Sequence, residues 1–224
     1  MKKQATVIMK FGALLMAVIL FSCLNASAQE QQTSMENNLR PKLGIKAGLN
    51  LTNLYVADVS NEHVKAGFNA GLFAKFPVAK GFSIQPELLY SVKGAKEEYN
   101  NFVQGDGEYR FNLGYMELPL LAVVNITKNF NIHAGGYAAY LVNANVKNVD
   151  NNGNIHGATE LNADNFNRWD YGLAGGLGFD IENFSLGARY NYGLNTIGKS
   201  GNLSGDLTKD SKNAGFSIYA GFGF

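Results

Sequence analysis

Eight stretches of this chain alternate apolar with polar or small residues at a period of two, and that pattern restricts the fold more than any other feature. In a strand, residues i, i+2 and i+4 share one face, whereas a helix mixes both sets on every face. Leu43, Ile45, Ala47, Leu49 and Leu51 alternate with Gly44, Lys46, Gly48 and Asn50. Phe68, Ala70, Leu72, Ala74 and Phe76 alternate with Asn69, Gly71, Phe73 and Lys75. Phe82, Ile84, Pro86, Leu88, Tyr90 and Val92 do so with Ser83, Gln85, Glu87, Leu89, Ser91 and Lys93.

A fourth segment, about 110–124, sets Met116, Leu118, Leu120, Ala122 and Val124 against Tyr115, Glu117, Pro119, Leu121 and Val123; the face carrying Glu117 is assigned to the interior. The fifth places Phe130, Ile132, Ala134, Ala138, Tyr140, Val142 and Ala144 outward and Asn131, His133, Tyr137 and Asn143 inward. The sixth alternates Tyr171, Leu173, Leu177, Phe179 and Ile181 with Asp170, Gly172, Ala174, Gly176, Gly178 and Asp180. The seventh has Phe184, Leu186, Ala188, Tyr190, Tyr192 and Leu194 outside, with Ser185, Gly187, Arg189 and Asn191 inside. The eighth ends the chain, with Phe216, Ile218, Ala220, Phe222 and Phe224 outward and Gly215, Ser217, Tyr219, Gly221 and Gly223 inward.

Segments of roughly 10 residues are what a tilted strand needs to cross a bilayer. The connections sort by length: 77–81, 125–129 and 182–183 are short, while 55–65, 94–109, 147–168 and 195–213 are long and polar. Short turns on one side and long loops on the other predict an all-β fold, an eight-stranded antiparallel up-and-down transmembrane β-barrel in the outer membrane, with both termini periplasmic. Composition supports this reading. Charged residues are 17% of the chain and 26 of 224 residues are Gly, against about 25% and 7% in average domains. An eight-stranded barrel is only wide enough for its own side chains, so glycines are expected where large residues crowd the interior. Pro86 and Pro119, lacking an N–H, are expected at bulges or strand ends.

The first 28 residues have the layout of a secretory signal peptide: Lys2, Lys3 and Lys10, then an apolar run from Phe11 to Phe21, then Ala26-Ser27-Ala28 at a small-residue cleavage site. A competing reading makes Leu20-Phe21-Ser22-Cys23 a lipoprotein box acylated at Cys23. With cleavage after Ala28, residues 29–41 form a periplasmic N-terminal segment and 42–224 the barrel domain. The formal charge of +1 becomes slightly acidic once the three lysines leave, which does not suit a nucleic-acid partner. One cysteine cannot supply a disulfide framework or a cysteine-based metal site. No metal and no cofactor are expected.

The inward set contains Lys46, Lys75, Lys93 and Arg189 with Glu87, Glu117, Asp170 and Asp180. Charges in a narrow interior must pair, with Asn50, Asn69, Gln85 and Asn191 as further partners, so these residues are read as a structural polar plug. A water thread conducting small solutes is the alternative. Three histidines could serve as bases, but His133 has inward parity without a Ser at i±2, and His63 and His156 lie in loops, so no catalytic residue is assigned. Asp150, Asn152 and Asn154 have calcium-loop spacing, which fails at Ile155 and Leu161. The glycines between 172 and 178 do not make a phosphate-binding fingerprint.

Five elements resemble the porin-family outer-membrane β-barrel domain of Bacteroidota-type bacteria, the group that includes PorT-like proteins: Gly44-Ile45-Lys46-Ala47-Gly48-Leu49-Asn50, Gln85-Pro86-Glu87-Leu88-Leu89-Tyr90-Ser91, Tyr115-Met116-Glu117-Leu118-Pro119-Leu120-Leu121, Gly187-Ala188-Arg189-Tyr190-Asn191-Tyr192-Gly193-Leu194 and the terminal Phe224. The resemblance implies a location and a barrel, without a defined activity. It also implies that Phe224 resembles the signal read by barrel-assembly machinery. The expected partners are outer-membrane lipid, that machinery, and an envelope or surface protein met through the four loops; a lipid-modifying enzyme is a further alternative.

Overall fold

The computed structural model describes residues 40–55, 65–94, 96–101, 105–150, 155–160, 166–197 and 212–224. The segment 1–28 read as a signal peptide, with Cys23, residues 29–39 and His63 lie outside the described residues. Among the described residues ten strands form: β1 (Lys42–Tyr55), β2 (Lys65–Ala79), β3 (Phe82–Lys93), β4 (Lys96–Asn101), β5 (Gly105–Asn125), β6 (Phe130–Asp150), β7 (Ile155–Glu160), β8 (Trp169–Ile181), β9 (Phe184–Thr196) and β10 (Lys212–Gly223).

Eight of them close a ring. β1 pairs with β2, β2 with β3, β3 with β5, β5 with β6, β6 with β8, β8 with β9, β9 with β10, and β10 returns to β1, every pair antiparallel. Closure removes every free edge from the ring, which is the condition for a sheet to stand in hydrocarbon. Among the described residues, no helix is long and apolar enough to cross a membrane.

The expected faces hold along most of the barrel. Leu49, Phe184 and Ile218 are 66, 64 and 61% exposed, while Lys46, Glu87, Glu117 and Arg189, on the opposite parity, are buried. A water-soluble domain does not present so continuous an apolar belt. Inward glycines make room for rings: a Cβ on Gly44, Gly187 or Gly172 would come within 2.5 Å of the Phe73 ring, 2.5 Å of the Tyr219 ring and 2.8 Å of the Tyr137 ring, respectively.

Three expectations need correcting. On β6, Gly114 pairs with Asn143 but Tyr115 with Leu141, so Val142 is an extra residue. One inserted residue inverts the faces beyond it. Asn143 is therefore exposed on the outer face, donating to Tyr90 Oη at 3.1 Å, and Ala144 is buried. Pro86 and Pro119 do not mark bulges. Phe73↔Glu87 and Phe76↔Ile84 keep one register past Pro86, and Pro119↔Tyr137 sits in an unbroken run; the β2–β3 irregularity falls at Pro77–Ala79. Finally, the second and third long connections are partly strand. β4 pairs with 105–110 of β5, and β7 with 145–149 of β6, in a four-stranded ribbon that extends the β5–β6 pairing beyond the barrel. His156 falls within β7.

At the opposite end, the connections β2–β3, β5–β6 and β8–β9 are tight. Gly81 (φ 79°) takes the left-handed conformation without strain, whereas Glu182 (φ 53°) does so with a side chain.

Candidate functional site in the barrel lumen

The alternation that turns apolar side chains outward sends polar ones into a single narrow interior, where the eight charged residues assigned inward from the sequence gather in three sets. In the first, Glu87 of β3 accepts from Lys46 of β1 at 2.5 Å and from both terminal nitrogens of Arg189 on β9 at 2.9 Å each, with Gln85 adding a bond at 2.7 Å. The cations are also roofed by aromatic faces. Lys46 Nζ lies 3.9 Å from the Tyr219 ring centroid and 5.6 Å from that of Phe73, a geometry that stabilises a desolvated cation.

The second set lies toward the long loops. Lys93 Nζ stands 2.6 Å from Glu117 and 3.8 Å from Asp170, over the Tyr137 ring at 4.4 Å. Asn213 Nδ2 donates to Asp170 Oδ2 at 2.8 Å, and Tyr137 Oη donates to the same oxygen at 3.4 Å. The third set, at the short-turn end, is a half-exposed pair: Lys75 and Asn131 donate to Asp180 Oδ2 at 2.8 and 2.9 Å.

Between the first two sets runs an uncharged layer. Asn50 donates to Ser91 Oγ at 3.0 Å and accepts from Asn69 at 2.6 Å and Ser217 at 2.8 Å. Asn50 and Asn69 thus bond to each other and to hydroxyls instead of to the charges; Asn191 Oδ1 has no hydrogen-bond partner within the protein. His133 is buried, with Nε2 3.4 Å from Tyr219 Oη and Nδ1 3.3 Å from Asn131 Oδ1. Among the described residues, no group of three or more His, Cys, Asp or Glu is arranged to hold a metal.

Sequence reasoning missed an apolar cluster at the long-loop end. Phe166 and Ile197, from the third and fourth connections, are 1% and 2% exposed and join Leu113, Tyr115, Tyr137 and Leu141 in one apolar cluster. The loops are tied there by Asn167 N donating to Ile197 O and Leu141 N to Arg168 O, both at 2.7 Å. A single apolar residue inside a polar loop was the available signal, and nothing local distinguishes it from a scattered surface residue.

A closed eight-stranded antiparallel ring, apolar outside and filled by paired polar side chains inside, defines a transmembrane β-barrel. The chain belongs to the outer membrane protein beta-barrel domain family, whose profile matches residues 27–198, and this places it in the outer membrane. No curated protein matches it. Among solved structures it is similar to Ail, the attachment invasion locus protein of Yersinia pestis, in complex with the heparin analogue sucrose octasulfate (14% identity, 82% of this chain and 99% of that one, TM-score 0.46). Similar too are Neisserial surface protein A (12% identity, 81% and 97% covered, TM-score 0.47) and OprG from Pseudomonas aeruginosa (14% identity, 82% and 94% covered, TM-score 0.33).

Proposed function

We propose that this protein is a non-enzymatic outer-membrane scaffold whose lumen is a structural plug and whose long loops bind a partner in the envelope or at the surface. The observation that carries the reading is the Lys46–Glu87–Arg189 set, in which side chains from β1, β3 and β9 meet on one carboxylate inside the ring. A conducting pathway would have to separate these charges in a desolvated space, at a cost of several kcal/mol per ion. Channels are generally built from wider rings. The long connections then remain as segments carried on a rigid support, which is where binding residues usually sit.

The enzymatic alternative has little support from His133, which lies inside the ring with Tyr219 and Asn131 instead of facing lipid. The same reading puts both termini and the short turns in the periplasm after removal of residues 1–28, makes Phe224 the signal for assembly machinery, and places the chain in the PorT-like group on its sequence motifs. Two measurements test it. Purified protein in planar bilayers should give no single-channel conductance; steady ohmic openings favour the solute channel. Photocrosslinkers in the four long connections and in the Glu30–Pro41 segment should trap one discrete envelope protein in cells from the loop side; trapping only from Glu30–Pro41 would replace surface binding with a periplasmic assembly role.

A further inference from the structure

The second charged set borders a small cavity of about 10 Å³, lined by Lys93, Tyr137, Asn191 and Asn213 among others. That volume is about one water-sized probe, and polar cavities of this size hold water whereas apolar ones stay dry. Two of its lining residues carry a buried oxygen, Asn191 Oδ1 and Asn213 Oδ1, that finds no hydrogen-bond partner within the protein. The Asn213 amide cannot turn to cure this, because its nitrogen is fixed by donation to Asp170 at 2.8 Å. Lys93, 2% exposed, has three donors, and its carboxylate neighbours stand at 2.6 and 3.8 Å.

We propose that this cavity is a binding site for one internal water, which donates to Asn191 and Asn213 and accepts from Lys93. A molecule that both donates and accepts satisfies all three walls. A metal cation would face the Lys93 ammonium, and an anion would face two amide oxygens. Three hydrogen bonds is the usual number for a buried water, and a buried acceptor left unmet is destabilising. Tyr137, which lines the cavity, also belongs to the apolar cluster of Phe166, Ile197, Leu113 and Leu141, so that cluster should slow the exchange of the water with solvent. This inference rests on the plug reading and adds to it a hydrated layer within the plug.

The test is water-selective NOE spectroscopy on the full barrel in detergent micelles, with conductance recorded on the same preparation. The wild type should show a cross-peak between water and the Asn213 side-chain amide. Asn191→Leu removes one acceptor, fills the space and breaks no other bond of that side chain, so it should abolish the peak; Phe166→Ala should keep the site but shorten the residence time of its water. No peak in the wild type, or a peak untouched by Asn191→Leu, overturns the site. So does a rubidium anomalous signal between Lys93 and Asn213 in crystals soaked with that ion. If the barrel conducts, the plug reading fails; if it is sealed and the peak is missing, only the water site fails.

Discussion

Arg189 on β9 crosses the lumen to hold both carboxylate oxygens of Glu87 on β3, at 2.9 Å each. Two parallel N–H···O bonds fix the guanidinium in one plane, and Lys46 shares the same carboxylate. One anion therefore serves two cations, which makes it the most sensitive point in the interior. Glu87→Ala leaves Lys46 and Arg189 buried and facing each other, and should destabilise the barrel by about 3–5 kcal/mol. Urea titration of refolded protein in lipid vesicles measures this; a loss under about 1 kcal/mol would show that the set is hydrated.

The second set makes a different prediction, because its single cation stands between two carboxylates. Lys93→Met should destabilise strongly, and adding Glu117→Gln should restore part of the loss. A double-mutant cycle should give a coupling energy above about 1 kcal/mol; additive effects would mean that Lys93 and Glu117 do not interact in lipid.

Two neighbouring glycines should behave oppositely. A Cβ on inward Gly135 would collide with the Leu120 carbonyl and lie 2.9 Å from Leu121 Cα, whereas on outward Gly136 it would meet only the Gly172 carbonyl at 3.5 Å. Gly135→Ala should cost more than about 2 kcal/mol, and Gly136→Ala should stay within about 0.5 kcal/mol of wild type. Equal effects would argue against the assigned faces of β6.

Leu177, 52% exposed on the outer face of β8, lies in the middle of the apolar belt. Leu177→Arg should cost about 2–4 kcal/mol in bilayers, as charges do at the midplane of such barrels. In a detergent that lets the arginine reach water the penalty should shrink, and comparison of the two media tests that this face meets lipid.

Phe224 contributes its backbone N–H to Leu43 O at 2.8 Å, while its ring is 72% exposed. Phe224→Ala should therefore leave refolding in detergent nearly unchanged and lower the amount inserted in cells, read as the heat-modifiable fraction in outer-membrane preparations. Equal losses in both assays would make the ring a stability element instead of an assembly signal.

The ring was legible because the bilayer imposes a period-two code on every crossing strand. Leu43–Leu51, Phe82–Lys93 and Phe184–Leu194 each state their faces without knowledge of a neighbour. What depends on two strands at once was not legible. The β6 bulge at Val142 has no local signature, so Asn143 and Ala144 exchanged faces. The loop strands β4 and β7 are short and polar, and only pairing with the prolonged β5 and β6 orders them. Inward parity gathered the charged residues, but parity cannot choose partners: that Lys46 meets Glu87 and Lys93 meets Glu117 follows from strand order and stagger. Phe166 and Ile197 lie outside any periodic segment.

The Ala47↔Ala220 pairing joins the first strand to the last, and this dictates the order of events during biogenesis. Until Lys212–Gly223 is in place, both ends of the sheet are open. Closing so large a loop is entropically slow. A chain that lacks β10 therefore leaves the exposed backbone edges of β1 and β9 unpaired, and in hydrocarbon such edges have no partner.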